Sequence, residues 1–470
     1  ERGQPFRPNP SIIMLRSRRL ATIAARRAGA ARRGNSTVSA LDQLHEENMA
    51  LRRENEQLRQ ETSHFAGAQS AYTPALHFWD PQVESPPLPM PCFRVMDDLG
   101  CVVEGAEQHV PSLSREEALA MMTTMVHVSE FDKIYNDAQR QGRISFYMTS
   151  RGEEAASVGS AAALQPSDMV LPQYRELGVF FWRGMTMAEI ANQLCANALD
   201  RAHGRQLPLH TGSAERNIIY VKSTLGTQCP HAAGVAYSLK QGGGERVAIC
   251  YLGEGTSSEG DFPSGLNIAA VHGCPTIFFC RNNGYAISTN ASEQYSSDGV
   301  APRGFAYGMP TIRVDGNDLL AVYAATAAAR AIGTEQGRPT LVEAMTYRVG
   351  AHSTSDDDSK YREPSAPEEG WDDERSYWEA RSPIVRFGRY LHQRGCFSGA
   401  DEERMRRALR KEAIAALSAA EEAGRPSPHH LFTDVWDVEP PALQQQRAAL
   451  QEHMARHPAA YDKFPSFSSQ

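Results

Sequence analysis

No apolar stretch in the 470-residue chain reaches the roughly 18 residues that a membrane-spanning helix requires, so a helical span is excluded. Cysteine is sparse and patternless. The eight cysteines, Cys92, Cys101, Cys195, Cys229, Cys250, Cys274, Cys280 and Cys396, form no CxxC pair and share no spacing. This argues against a zinc site or a disulfide framework and fits a reducing compartment. Cys250, inside the run VAICYLG, reads as a small buried apolar side chain. No G-x-G-x-x-G follows a predicted strand, which argues against a nicotinamide dinucleotide site. Acidic residues are missing altogether from residues 2–41, although the whole chain carries a net charge of −8. That sum speaks against wholesale nucleic-acid binding, and the contrast sets a basic start apart from an acidic remainder. Hydrophobic content of 41 % and charged content of 22 % are ordinary for a globular protein, and the length allows either one large α/β domain with appendages or several domains.

Arginines at 7, 16, 18, 19, 26, 27, 32 and 33 alternate with Ala, Ser, Ile and Leu. Residues 1–39 therefore have the composition of a mitochondrial transit peptide, expected to be disordered, and the mitochondrial matrix is the expected location. A basic arm for nucleic acid is the competing reading. In residues 40–62, Leu44, Leu51 and Leu58 fall seven apart, with Leu41, Asn48 and Asn55 at the other seam position. This predicts a zipper-like helix, short for a stable coiled coil. A basic arm ahead of a zipper also describes a leucine-zipper binding protein, but Ala and Gly interrupt the arginines, so the arm does not continue as one charged helix. Residues 63–94, which include TPALHFWDPQVESPPLPMP, are expected to form an extended Pro-rich linker.

The folded body is expected over residues 95–365, followed by a helical region over 366–470. Ser114 and Glu117 form an S-x-x-E box ahead of apolar residues at helical spacing, so a long helix starts there. Helices are also expected over 153–164 and 186–200. VAICYLG (247–253) is a β-favouring run; a helical DFPSGLNIAAVHG and a second apolar run, PTIFFCRNN (275–283), follow it. TIRVDG (311–316), a helix over 318–332 and PTLVEAMTYRV (339–349) repeat the strand–helix–strand pattern. The fold class is thus α/β, with a mostly parallel, doubly wound sheet covered by helices on both faces.

Ligands of such sheets bind beyond the carboxyl ends of strands, where GEG (253–255) and RNNGY (281–285) both fall. Glu254 offers a carboxylate and Asn283 an amide oxygen, while Gly253, Gly255 and Gly284 let backbone approach a ligand closely. A few hard oxygen ligands suit Mg²⁺ completed by diphosphate oxygens. Taken singly, GEG is equally a tight turn and RNNG an ordinary Asn-Gly loop. Their placement on consecutive strands is what favours the metal site.

The segment from Gly253 to Asn283 resembles the thiamine-diphosphate signature. With QGRISFYMTSRGEEAASVGSAAAL, QYRELG, LGEGTSSEGD, FFCRNNGYAIST, SEQYSSDGVAPRG, IRVDGNDLLAVY, EAMTYRVGAHSTSDD and LFTDVW, the chain from about residue 95 to 465 resembles the alpha subunits of branched-chain 2-oxo acid dehydrogenases. The resemblance implies the thiamine-diphosphate-binding fold and oxidative decarboxylation of a branched-chain 2-oxo acid, the acyl group passing to a lipoyl group on an acyltransferase component. It also implies assembly of two alpha with two beta subunits, because no residue of this chain matches the glutamate that faces the cofactor's pyrimidine. A regulatory kinase and phosphatase belong to the same pattern.

By that resemblance, Glu254, Asn283 and the Tyr285 carbonyl hold Mg²⁺. Arg175 and Arg281 pair with the diphosphate, beside Gln173, Tyr174, Gly253, Gly255, Thr256 and Ile287. Ser223 and Leu225 lie near the reactive ring, and Phe146, Tyr174 and Leu225 line the acyl pocket, although Phe146 and Leu225 alone read as core. His352 faces the cofactor and assists the reaction, and Ser353 is the phosphorylation position. Arg348, Asp356, Tyr361 and Arg362 seat the lipoyl-bearing partner from a polar, acidic loop expected to be mobile until bound. Thr224, Thr227 and Gln228 resemble a potassium site. There Lys222 replaces Ser and Thr224 replaces Pro, so either the ammonium group stands in for K⁺ or the side chain turns away. Ala351 replaces a histidine, and Glu363 occupies a second phosphorylation position. Pyruvate remains an alternative substrate, since a few methylenes in a pocket discriminate by only ~1–3 kcal/mol each.

Overall fold

A computed structural model describes residues 62–362, 366–368, 370–465 and 467. The leader expected over 1–39, the zipper-like helix apart from Thr62, and Glu363 lie outside the described residues. The described strands are β1 (Tyr72–Thr73), β2 (Cys92–Phe93), β3 (Met169–Leu171), β4 (Ala248–Gly253), β5 (Thr276–Asn282), β6 (Tyr285–Ala286), β7 (Thr289–Asn290), β8 (Thr311–Asp315) and β9 (Thr340–Met345). The first helices are α1 (Arg115–Arg140), α2 (Glu154–Ala162), α3 (Leu177–Trp182), α4 (Met187–Cys195), α5 (Gln228–Gln241) and α6 (Asp261–His272). They are followed by α7 (Ala291–Gln294), α8 (Leu319–Gln336), α9 (Glu374–Ala380), α10 (Pro383–Gln393), α11 (Gly399–Glu422) and α12 (Pro441–Arg456).

Seven strands form one parallel sheet in the order β1-β2-β8-β9-β5-β4-β3, and β6 and β7 make a separate antiparallel hairpin. Side chains alternate across the sheet. Ile249 and Tyr251 of β4, with Ile277 and Phe279 of β5, join a core built with α1, α2, α4, α8 and α11. Ala248, Cys250, Leu252, Phe278 and Cys280 face the opposite layer, where α5 and α6 pack. Both faces are therefore covered, which is why β4 and β5 read as unbroken apolar runs rather than alternating ones.

Helix α1 starts where its sequence directs: Ser114 and Glu117 make the reciprocal capping box. Met121, Met122, Met125, Val128, Phe131 and Tyr135 form its buried stripe. Helix α11 lays Leu409, Ala413, Ala416, Leu417 and Ala420 into the same core. Helix α4 stops at Cys195, short of the expected 200, because Ala196 turns left-handed at φ 49°.

Residues 63–94 are not a linker. They contribute β1 and β2 to one edge of the sheet and bury Phe65, Met90 and Cys92. Phe65 stacks on Trp378 with ring centroids 4.7 Å apart, in a cluster that also holds Tyr285, Met345, Tyr347 and Val349. The strand expected over 339–349 ends at Met345, after which the chain leaves the sheet as a loop.

Register positions the site. Gly253 of β4 pairs with Arg281 of β5, and Asn282 of β5 with Met345 of β9, so these three central strands end level. Helices α6 and α8, which lead into β5 and β9, lie on opposite faces. An α/β sheet leaves its ligand crevice at the carboxyl ends of strands so connected.

Candidate active site

Glu254 and Asn283 follow the ends of β4 and β5 and meet there. The Asn283 N–H donates to Glu254 Oε2 at 3.3 Å, its Oδ1 accepts from the Tyr285 N–H at 3.1 Å, and its Nδ2 donates to Glu153 Oε1 at 2.6 Å. The other Glu254 oxygen, Oε1, is buried with no hydrogen-bond partner. Burial, reinforced by the charge of Glu153, pushes this carboxyl up to about 7. An unsatisfied buried acceptor costs about 1–3 kcal/mol, a cost a cation would remove. The neighbouring donors are the Asn283 amide oxygen and the Tyr285 carbonyl, whose other partner is Arg348 Nη1 at 3.2 Å. Among the described residues no group of three or more His, Cys, Asp or Glu could hold a metal. A cation here would therefore draw on one carboxylate, an amide, a carbonyl and oxygens of its own ligand, a set that fits Mg²⁺ and not zinc.

Gln173 braces the turn after β4. Its Oε1 accepts from the Gly253 N–H at 2.9 Å and from Thr256 Oγ1 at 3.1 Å, while Gln228 points inward and donates to the Tyr251 carbonyl at 3.1 Å. Two glycines are required by space. A Cβ on Gly255 would stand 2.7 Å from that of Ala286, and Gly284, at φ +84°, would drive one to 2.6 Å from Ala66. At the tip of the β6–β7 hairpin, Ile287 holds φ 58°, a strained conformation for a β-branched residue, and is half exposed.

Both predicted arginines are buried. Arg175 donates to the Thr149 carbonyl and, at 3.0 Å, to the His352 carbonyl, and its guanidinium carbon lies 5.7 Å from the Tyr174 ring centre. Arg281 is engaged within the chain: Nε donates to Glu176 at 2.7 Å and Nη1 to Glu153. Burial acts against its charge, but Glu176 and Glu153 outweigh that and hold its proton more firmly than usual. The His352 ring meets Tyr174 edge-on at 6.0 Å. Burial, with Arg175 and Arg348 nearby, pulls its pKa down to about 3, so the imidazole is neutral at physiological pH.

The loop after β9 carries its own ties, contrary to the mobility its composition suggests. Arg348 donates to the Ile287 carbonyl at 2.7 Å and to the Tyr361 hydroxyl at 2.9 Å, and Tyr361 in turn donates to Asp356. Arg362 binds Asp358 at 2.7 Å and the carbonyls of Arg348 and Gly350 at 2.6 Å. Ser353 is buried and its Oγ accepts from the Ser355 N–H at 3.2 Å.

The 222–227 loop is different. Lys222, Ser223 and Thr224 are exposed and Leu225 is half-buried; Thr227 Oγ1 caps the Thr224 carbonyl at 2.9 Å. Lys222 thus reaches outward rather than into the Thr224 and Gln228 oxygens. Phe146 and Tyr174 are partly buried against the main core.

The family model of the dehydrogenase E1 component matches residues 122–429. The chain belongs to that family. Similar proteins include the 2-oxoisovalerate dehydrogenase subunit alpha 1, mitochondrial, of Arabidopsis thaliana, 46 % identical over 398 residues that cover 84 % of this chain and 82 % of the relative. The mitochondrial alpha subunit of the same name from Dictyostelium discoideum is 48 % identical over 374 residues, 79 % and 82 % of the two chains. The Homo sapiens one is 44 % identical over 398 residues, 84 % and 86 %.

Glu153 and Glu176 are not among the residues expected from the sequence. These two buried carboxylates hold Arg281 and, through Glu153, Asn283. The only signal was their position in RGEE and QYRE, beside segments already singled out, and nothing in the spacing tied them to Arg281.

Proposed function

We propose that the chain is the alpha subunit of a thiamine-diphosphate-dependent, branched-chain 2-oxo acid dehydrogenase. It would work in the mitochondrial matrix with a beta subunit and a lipoyl-bearing acyltransferase component. The family match and the names of the relatives support the activity and the subunit type. The observation that carries the site is the partnerless, buried Glu254 Oε1 beside Asn283 and the Tyr285 carbonyl. These residues would hold Mg²⁺, with diphosphate oxygens completing its shell. Bound thiamine diphosphate supplies a nucleophilic carbon for the 2-oxo group and an electron sink for decarboxylation.

The chain's own residues bind and orient. Arg175 presents a guanidinium beside His352 and suits a diphosphate oxygen, and Gln173 with Thr256 fixes the turn that presents Glu254. Arg281, already paired with two carboxylates, serves by setting Glu153 against Asn283, and a direct contact with the diphosphate would use the rest of its guanidinium. Gly253, Gly255 and Ile287 shape the backbone around the cofactor, and Ser223 stands at the ring end. Neutral His352 offers one N–H and one lone pair to the reacting substrate. Phe146, Tyr174 and Leu225 form the acyl pocket. Arg348, Asp356, Tyr361 and Arg362 present a stiff loop to the lipoyl partner. On Ser353 a phosphate would add nearly two negative charges there. A kinase would have to open the loop to reach that hydroxyl. With Lys222 turned outward, a potassium ion at Thr224, Thr227 and Gln228 has no support from that side chain.

The test is co-expression with candidate beta chains, then comparison of kcat/KM for 3-methyl-2-oxobutanoate and pyruvate with and without Mg²⁺ and cofactor. A clear preference for the branched acid is expected; preference for pyruvate would reassign the substrate, and no decarboxylation with either would overturn the reading.

A further inference from the structure

Residues 147–152 run alongside residues 347–354, and one carboxylate of α1 lies beneath them. Asp132 is 3 % exposed. Its Oδ1 accepts from the Tyr147 hydroxyl at 2.7 Å and its Oδ2 from the Ser150 N–H at 2.7 Å, so it grips that segment at two points. The gripped segment in turn holds the loop. The Tyr147 N–H donates to Thr354 Oγ1 at 3.3 Å, and the Tyr147 carbonyl accepts from the Thr354 N–H at 3.0 Å and from its hydroxyl at 3.2 Å. The Val349 N–H donates to the Arg151 carbonyl at 3.1 Å, and Arg175 bridges the Thr149 and His352 carbonyls. His352 is two residues from Thr354, and Phe146 immediately precedes Tyr147.

Asp132 lies on the buried face of α1, next to Phe131, where burial drives its carboxyl up to about 7. Its two oxygens satisfy the buried Tyr147 hydroxyl and Ser150 N–H, which an apolar side chain would leave unpaired.

We propose that Asp132 is a positioning residue for the reaction: it pegs residues 146–150 to α1 and so fixes the His352 loop through Thr354 and one wall of the acyl pocket through Phe146. The peg rests on the roles assigned above to His352 and Phe146, whereas its effect on the loop does not depend on them.

The experiment uses Asp132→Ala, Asp132→Asn and, at the far end of the chain of contacts, Thr354→Val, each in the full alpha chain assembled with its beta subunit. Hydrogen exchange at residues 351–356 is read beside steady-state rates on 3-methyl-2-oxobutanoate and pyruvate. Asp132→Ala is expected to speed exchange at 351–356 about tenfold or more while leaving β4 and β5 unchanged. It should lower kcat by about ten- to a hundredfold with a much smaller change in KM, and narrow the preference between the two acids. Asp132→Asn, which keeps one acceptor, should fall between it and the parent. Thr354→Val should reproduce the loop effect without the change in preference. Unchanged exchange at 351–356 in Asp132→Ala overturns the peg, and so does faster exchange with an unaltered kcat. If Asp132→Ala does not assemble, parental exchange and kcat in both other variants overturn it equally. An inactive parental assembly speaks against the enzymatic reading alone, since the exchange measurement still decides on the peg.

Discussion

At Glu254 the protein buries a carboxylate and leaves one of its oxygens unpaired. A residue kept at such a cost is suited to a ligand rather than to the empty fold. Replacing it by Gln should therefore weaken magnesium-dependent cofactor binding about tenfold or more, without lowering the melting temperature of the cofactor-free protein. Calorimetric titration and thermal melts check both halves, and unchanged affinity would count against the metal site. His352 carries a prediction with a definite sign. Its folded pKa of about 3 lies below the ordinary 6.5, so between those values the unfolded chain binds a proton that the native chain refuses. Stability should fall as the pH drops from 6.5 toward 3, and above 6.5 the residue should contribute no slope. His352→Gln should flatten that acid decline in melts taken from pH 4 to 7; an unaltered slope would place the decline elsewhere. Glu254 and Asn283 were legible in the sequence because they are fixed by two strand ends. Glu153 and Glu176 were not, because an ion pair between distant segments leaves no periodicity.

Elements long enough to express a period were readable, and short ones were not. Strands β4, β5 and β8 and the helix α8 lie where apolar runs and spacing put them, and α1 begins at its capping box. Strands β1 and β2 have two residues each, too few for alternation, and proline around them suggested a linker. What holds that segment is Phe65, fully buried on Trp378. Phe65→Ala should cost about 3–5 kcal/mol in denaturant unfolding, and because Tyr285 shares the cluster it should also weaken cofactor binding. A loss under 1 kcal/mol would mean that the segment merely lies on the body. The loop after β9 misled in the opposite direction: its acidic residues suggested solvation, whereas Arg348, Arg362 and Arg375 gather them into one network.

Across the whole molecule, Glu153 and Glu176 are two buried glutamates near the site that are committed to Arg281 and Asn283, so neither is free to act on a thiamine ring. Among the described residues α12 buries no side chain, and Leu431, Val435, Trp436 and Val438 just before it are exposed. Large apolar side chains exposed within one short segment are suited to an interaction surface. The purified chain alone should show no decarboxylation. Adding a beta subunit should restore turnover and slow hydrogen exchange at residues 431–438; turnover by the isolated chain would refute the shared-site arrangement.

The stretch from Phe65 to Gly67 also sets a limit on how far the chain can be shortened. Ala66 and Gly67 lie so close to Asn282 and Gly284 that a methyl group on either glycine would collide with its neighbour. Removing Phe65 to Gly67 should therefore uncover the turn at Asn282 and Gly284.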